Sequence, residues 1–292
     1  MAVGRNFYRP NMKLFLTLTL IFTSYSLFSQ TNVDSIIASS HVKEVRILSQ
    51  QKDTANLIRY SKEGKMTYNF LNNFGGSTFL LKTSTTWIYN DSGRVIKTIS
   101  THSSFPDSTA WVYEYDTKGN RVSTKTVEGR LIFKYYYDDS NFLVKQLSFD
   151  DSSKLEETTT YEKVNNGKKV ISTIMGNFIK NRTNTTYFDD NGNNIKTESY
   201  DGVKINFSTE SVFKGNRLVK ITYNSGYGSN YTYDSKGRLI KRSNFKIEND
   251  KEKNSGFEVF TYNDKGLLIN YEENIYYSGN LRKYRYEYDF YD

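Results

Sequence analysis

Tyr231-Thr232-Tyr233-Asp234-Ser235-Lys236-Gly237-Arg238-Leu239-Ile240-Lys241 decides how the chain is read, because the same pattern returns along its length. Related stretches begin at Tyr60, Tyr89, Tyr115, Tyr137, Tyr161, Tyr187, Phe213 and Tyr262, and Tyr288-Asp289 opens one more. A period of roughly 25 residues marks a tandem architecture in which each copy is one supersecondary unit. Asp or Asn at the opening of the turn can bond its side chain to a backbone N–H two residues on. Gly four residues after Tyr takes the left-handed conformation at no steric cost. Together these give a type I turn with a following bulge, hence a hairpin. Asn141 stands where Gly is expected in one copy, the substitution that conformation tolerates best.

In eight of nine units the third residue beyond the turn is aliphatic, Ile96, Val122, Val144, Val170, Ile195, Leu218, Ile240 or Ile269, which predicts a buried column. Lys97, Lys145, Lys196 and Lys241 follow immediately and fall on the opposite face by strand alternation. The register that follows places Tyr233 across from Leu239 and Thr232 across from Ile240. Many Tyr (25) and Phe (19), few Pro (2) and an apolar content of only 37% favour strands over a thick helix-packed core. The fold expected is all-β: tandem antiparallel β-hairpin repeats forming one long twisted or curled sheet, β-spiral-like, with two strands per unit.

Three segments follow. Residues 1–30 read as a signal peptide: Met12-Lys13, an apolar run from Leu14 to Phe22, then small and polar residues to Gln30. Residues 31–59 read as a capping segment, with a helical turn around Val33, Ile36 and Ile37 and a strand carrying Val42, Val45 and Ile47. Residues 60–292 hold the repeats. Within them Lys283-Tyr284-Arg285-Tyr286-Glu287-Tyr288 reads as a final strand whose charges protect a sheet edge.

Lys and Arg exceed Asp and Glu by 8, but Arg5, Arg9 and Lys13 lie in the leader, so the bias of the rest is mild. No Lys/Arg block occurs, which argues against a nucleic-acid partner. There is no cysteine, so export brings no disulfides and no lipid anchor on a cysteine. Nothing after the leader is apolar enough for a membrane helix, and the chain is expected in the periplasm, on the outer surface or outside the cell.

At Tyr231 to Lys241 the chain resembles the YD-repeat (Rhs-type) family, and the resemblance extends over roughly Tyr60 to Asp292. The resemblance implies hairpins wound into a β-spiral or shell. Several copies depart from the pattern: Phe213-Lys214-Gly215 lacks the Asp and two turn residues, and Tyr161-Glu162 lacks Asp or Asn. Large members enclose a C-terminal toxin or effector domain, for which this chain has no room.

Candidate chemistry is sparse. The only histidines are His41 and His102, which with no cysteine leaves too few ligands for a mononuclear zinc site. Asp138-Asp139, Asp150-Asp151, Asp189-Asp190 and Glu156-Glu157 are paired acids, which are read as turns or solvated loops rather than a hydrolytic pair. Asp189 to Asn193 lacks the spacing of a calcium loop. No cofactor is expected. The functional lead is aromatic: Trp87, Trp111, Tyr113 and Tyr135 sit at alternate positions with Tyr89, Tyr115, Phe133 and Tyr137, so they share a face and can stack on sugar rings or a partner surface. Thr159, Thr185 and Thr209 take that place in the middle units. The reading that follows is a non-catalytic exported module that binds glycan or protein. Its alternatives are a polysaccharide hydrolase using two carboxylates, and a remnant shell or accessory of a polymorphic-toxin system.

Overall fold

The computed structural model describes residues 35–49, 54–73, 81–103, 105–176, 181–202, 204–275 and 281–292. The expected leader lies outside the described residues. A short helix, 35–39, precedes twenty strands. The first ten are β1 (Val42–Leu48), β2 (Thr54–Tyr60), β3 (Met66–Asn73), β4 (Leu81–Tyr89), β5 (Val95–His102), β6 (Phe105–Tyr115), β7 (Arg121–Thr126), β8 (Leu131–Tyr137), β9 (Leu143–Phe149) and β10 (Leu155–Val164). The second ten are β11 (Lys169–Gly176), β12 (Arg182–Phe188), β13 (Asn194–Asp201), β14 (Lys204–Lys214), β15 (Arg217–Tyr223), β16 (Tyr227–Tyr233), β17 (Leu239–Glu248), β18 (Lys251–Tyr262), β19 (Leu268–Ile275) and β20 (Leu281–Phe290).

Each strand pairs antiparallel with the next. The expected open sheet is corrected here, because β1 pairs with both β2 and β20 and the sheet closes into a barrel. Val45 lies across from Ile58 on one side and Tyr288 on the other. Closure leaves no edge to be capped, so the charges of β20 do not guard one. Arg46 instead reaches across the seam to Asp289 at 3.0 Å, and Arg59 to Glu44 at 2.9 Å.

The curvature has a local cause that sequence pattern misassigned. Tyr233 does pair with Leu239, but Thr232 pairs with Lys241, so Ile240 is an extra, bulged residue. The same register shift follows Tyr89, Tyr115, Tyr137, Phe188 and Tyr262, so Ile96, Val122, Val144, Ile195 and Ile269 are bulge residues too. A bulge bends its strand and increases twist, and repeating it at one rim coils the sheet until its ends meet. A regular flat ladder would not do so.

That rim is also interlocked. Asp234 accepts a hydrogen bond from the backbone N–H of Arg238, four residues on, at 2.8 Å, and Gly237 N–H donates to the Asp234 carbonyl at 3.0 Å, while Asp150 and Asp189 also accept from the N–H two residues on, at 2.8 and 2.9 Å. Asp116, Asp138 and Asn263 repeat the i to i+4 bond. Several motif tyrosines then tie one unit to the one before: Tyr233 Oη donates to the Leu218 carbonyl at 2.8 Å, Tyr262 to Leu239 at 2.9 Å, and Tyr115 to Val95 at 2.7 Å. At several turns the basic residue that follows covers the next ring, as Arg217 does Tyr233 at 6.0 Å and Arg238 does Tyr262 at 4.9 Å. A Cβ at Gly237 (φ +82) would run into the Arg217 guanidinium, whereas one at Gly192 (φ +79) meets nothing. Gly237→Ala should therefore cost about 1–2 kcal/mol, more than Gly192→Ala, which carries only the backbone strain. Thermal melts of the two variants check this, and equal losses would remove the packing contribution of Arg217.

Tracing the pairs around the ring separates two faces. One carries Trp87, Trp111, Tyr113, Phe133, Tyr135, Thr159, Thr209, Tyr231, Phe260, Tyr271 and Tyr284. The other carries Lys97, Lys125, Lys134, Lys145, Lys220, Lys241 and Lys283. In β8 Lys134 and Tyr136 are exposed while Phe133, Tyr135 and Tyr137 are partly covered, and β20 alternates in the same sense. Side chains converge on the concave side of a closed sheet and splay on the convex side, so the aromatic face is the inner wall. Burial pushes the hydroxyls of Tyr113, Tyr231, Tyr161 and Tyr286 up, the last two to about 12, as a desolvated inner wall requires.

Only seven hydrophobic residues among those described are buried, so the molecule has no central core. Four of them, Ile37, Val42, Val45 and Leu267, cluster at the seam with Ile36, Ile47, Ile58, Tyr60, Tyr286 and Tyr288. The short helix thus packs over the join between first and last strands. Among the described strands, each comes within contact distance only of its two neighbours in the ring. The wall is one sheet thick, and roughly 16 or more strands in a ring leave a channel.

Candidate functional site: the inner wall

Trp87, Trp111, Tyr113 and Tyr135 all project from the inner wall, on β4, β6 and β8. Trp87 lies across from Thr98, Thr98 from Trp111, and Trp111 from Thr126, so large rings alternate with hydroxyls strand by strand. Tyr113 lies across from Thr124, which faces Phe133 on the far side. Tyr113 and Thr98 share a hydrogen bond at 2.8 Å, and the Arg121 guanidinium covers the Tyr113 ring at 4.4 Å. Tyr135 leans on Phe133, with centroids 6.3 Å apart, and meets the Thr124 hydroxyl at 3.5 Å. Two of the four rings are thus partly engaged by their neighbours.

The threonine arc needs one correction. Thr159 and Thr209 face inward, but Thr185 pairs with Ile171 on the outer face, and Asn184 and Thr186 take the inner positions of β12. The aromatic that precedes the turn there is Phe188, directly before Asp189, so the unit assigned to Tyr187 is one residue out of phase. A single-residue slip exchanges faces.

The paired acids of the turns are occupied by those turns. Asp138 accepts from Ser140 and from the Phe142 backbone, Asp150 from Ser152 and Lys154, and Asp189 from Asn193 and Asn191. These bonds hold all three carboxyls below the ordinary carboxylate range. Asp190 pairs with Lys168 beside a rim recess of 430 Å³ that also includes Lys163, Val170, Phe188 and Asp189. His41 precedes β1 and His102 ends β5, far apart in the sheet. No group of three His, Cys, Asp or Glu side chains among the described residues is placed to hold a metal ion.

One inner-wall cluster escaped sequence reading. Arg242, Glu258, Glu273 and Arg282 lie directly across from one another on β17, β18, β19 and β20. Arg242 pairs with Glu258, Arg282 Nη1 lies 3.4 Å from Glu273, and Tyr271 Oη donates to Glu273 at 3.0 Å. Beside them Phe260, Tyr271 and Tyr284 cover one another, with centroids 5.3 and 5.7 Å apart. No local motif joins these residues, so only the strand register could reveal them.

No protein-family model matches the chain, and no curated protein matches it. Among solved structures, similar chains include a porin-like protein from Bacteroides uniformis ATCC 8492, at 12% identity and TM-score 0.39, covering 85% of this chain and 98% of that one. A porin-like protein from Bacteroides vulgatus ATCC 8482 matches at 10% identity and TM-score 0.31, covering 86% and 99%. A TcdB2-TccC3-TEV chain matches at 15% identity and TM-score 0.35, covering 81% of this chain and 14% of that one. At such scores none of them decides fold or function, which rest on this chain's own strand pairing. Membership of the YD-repeat family is not upheld: no family model matches, and the hairpins form a closed ring in place of a spiral.

Proposed function

We propose that this is an exported, non-catalytic β-barrel that works in water and binds a glycan against its inner wall. The observation that carries the reading is the division of the two faces: rings and hydroxyls alternate inside, while lysines stand along the strands outside, Lys134 and Lys220 at their centres. Lys97, Lys125, Lys134, Lys145 and Lys220 would each face lipid if the barrel crossed a bilayer. Every such cation costs about 2–4 kcal/mol near the midplane. A water-surrounded barrel avoids that cost.

Sugar rings present an apolar C–H face and a fringe of hydroxyls that both donate and accept. Trp87 and Trp111 supply the flat apolar surface, and Thr98, Thr124 and Thr126 the hydroxyls between. Trp87 and Trp111 are both partly exposed, and among the described residues neither stacks on another ring. Loss of one such stacking surface costs about 1.4 kcal/mol, a tenfold weakening.

Isothermal titration of the mature chain against uncharged oligosaccharides should show binding that Trp111→Ala weakens about tenfold. Lys125→Ala, on the outer face, should change nothing. Equal affinity of wild type and Trp111→Ala would sink the aromatic wall as the binding surface.

A further inference from the structure

We propose that Asn166, in the turn between β10 and β11, is a site of self-modification: its side-chain amide is lost to attack by the Gly167 backbone nitrogen, leaving aspartate or isoaspartate on the rim. This inference is independent of the glycan reading.

The chain holds two Asn–Gly steps, Asn166-Gly167 and Asn191-Gly192. Glycine after asparagine leaves the next backbone nitrogen open, because no Cβ shields it. Both asparagines are exposed, and a Cβ at either glycine would meet nothing within 4 Å, so neither solvent access nor room separates the two steps. The bonding of their turns does. Gly192 N–H donates to the Asp189 carbonyl at 3.1 Å, and the N–H groups of Asn191 and Asn193 donate to Asp189 Oδ1 at 2.9 and 2.8 Å. Attack by the Gly192 nitrogen must first break into that network. Among the described residues Gly167 N–H has no hydrogen-bond partner, and the bond that spans its turn runs from Lys168 N–H to the Asn165 carbonyl at 3.1 Å.

Backbone strain widens the difference. Asn165 and Asn166 stand at φ +54 and +55, followed by Gly167 at +85, whereas Asn191 is outside the left-handed region. A residue with a side chain is strained there, so the movement out of the turn that ring closure requires relieves strain at Asn166.

The step balances with water alone. The Gly167 nitrogen gives up its proton and bonds to Asn166 Cγ, the Cγ–Nδ2 bond breaks, and ammonia leaves with that proton. Water then adds at either carbonyl of the cyclic imide and opens it to aspartate or isoaspartate. Lys163 and Lys168 line the same recess as Asn166 and favour the negative charge that develops on the attacking nitrogen and the carbonyl oxygen, Lys168 being shared with Asp190. In the other turn the Asp189 carboxylate lies beside the step and opposes that charge. The new carboxylate turns a recess of two lysines and two aspartates net acidic, and isoaspartate adds a methylene to the backbone of the turn.

The test incubates the folded mature chain in mildly alkaline buffer and follows the peptides that span each step by mass spectrometry, with enzymatic methylation of isoaspartate as a second readout. Asn166 should convert about tenfold faster than Asn191, as expected where two hydrogen bonds of ordinary strength must open first. In denaturant the two rates should converge. Asp189→Ala, with its strands intact by circular dichroism, should raise the rate at Asn191, and Asn166→Gln should remove the product at the β10–β11 turn. Equal rates at Asn166 and Asn191 in the folded wild type, or no conversion at Asn166, overturn the proposal, and neither result depends on a variant folding. A difference that persists in denaturant overturns it as well, since neighbouring sequence and not the fold would then set the rates.

Discussion

Val45→Asp is expected to abolish the closed barrel. Val45 is 4% exposed, sits in the seam cluster with Ile37, Val42 and Leu267, and touches the strands on both sides through Ile58 and Tyr288. Among the described residues a carboxylate there finds no cation in the seam cluster, since Arg46 and Arg59 belong to the outer face and already pair with Asp289 and Glu44. An unpaired buried charge costs at least about 3 kcal/mol, against a total of about 5–15 kcal/mol for a folded domain. At roughly 2–4 °C per kcal/mol for a chain of this size, melting should fall by about 6–12 °C or lose its single transition. Opening the seam also frees β1 and β20 as long edges, so light scattering should report association. Arg59→Ala, which removes only an exposed pair, should stay within about 1 kcal/mol of wild type. A Val45→Asp variant that melts like wild type and stays monomeric would mean the seam does not hold the ring.

Alkaline titration should give the second large effect. Desolvation is the leading cause that raises Tyr161 and Tyr286 to about 12, and it also raises Tyr113, Tyr231, Tyr271 and Tyr288. A tyrosine whose pKa is higher folded than unfolded gives stability that is whole below about pH 10 and vanishes as pH climbs through the folded value. For Tyr161 and Tyr286 the loss is about 2 kcal/mol each by pH 12, so the ring should open cooperatively between about pH 10 and 12. Absorbance of ionised tyrosine should rise in two stages, exposed rings first and the inner wall together with loss of strand circular dichroism. A single gradual rise, with the strand signal intact at pH 12, would mean the inner wall is not desolvated.

Acid acts in the opposite direction on the rim. Asp138, Asp150 and Asp189 are held low by hydrogen bonds from Ser140, Ser152 and Asn193, so their contribution is present above the unfolded value near 3.8 and lost as pH falls below it. Glu258 runs against them: its raised carboxyl favours the fold below 4.5 and not above. The rim turns and the inner-wall acid therefore respond to acid with opposite sign.

Strand identity and turn chemistry were legible in the residues themselves. Tyr, Asp and Gly at fixed offsets name most of these hairpins, and Asn141 at φ 63 occupies the left-handed position its spacing assigned. That Trp87, Trp111, Tyr113 and Tyr135 share one face followed from alternation, since these units keep their phase, whereas closure of the ring decided that this face is the inner one. Thr185 and Tyr187 did not, because the turn before Gly192 is entered from Phe188 and the shift by one exchanges the faces.

Local chemistry therefore determined that the chain folds back on itself in hairpins, because a turn is made by four or five neighbouring residues whose bonds are all within reach of one another. Whether the hairpins form an open ribbon or a ring was decided by the tertiary structure. That outcome depends on bulges at Ile96, Val122, Val144, Ile195, Ile240 and Ile269 adding their bends around the sheet until Val45 meets Tyr288, 243 residues later in the chain. The Glu258 and Glu273 pair arose in the same way, since residues on different strands become neighbours only when register is set by the whole sheet.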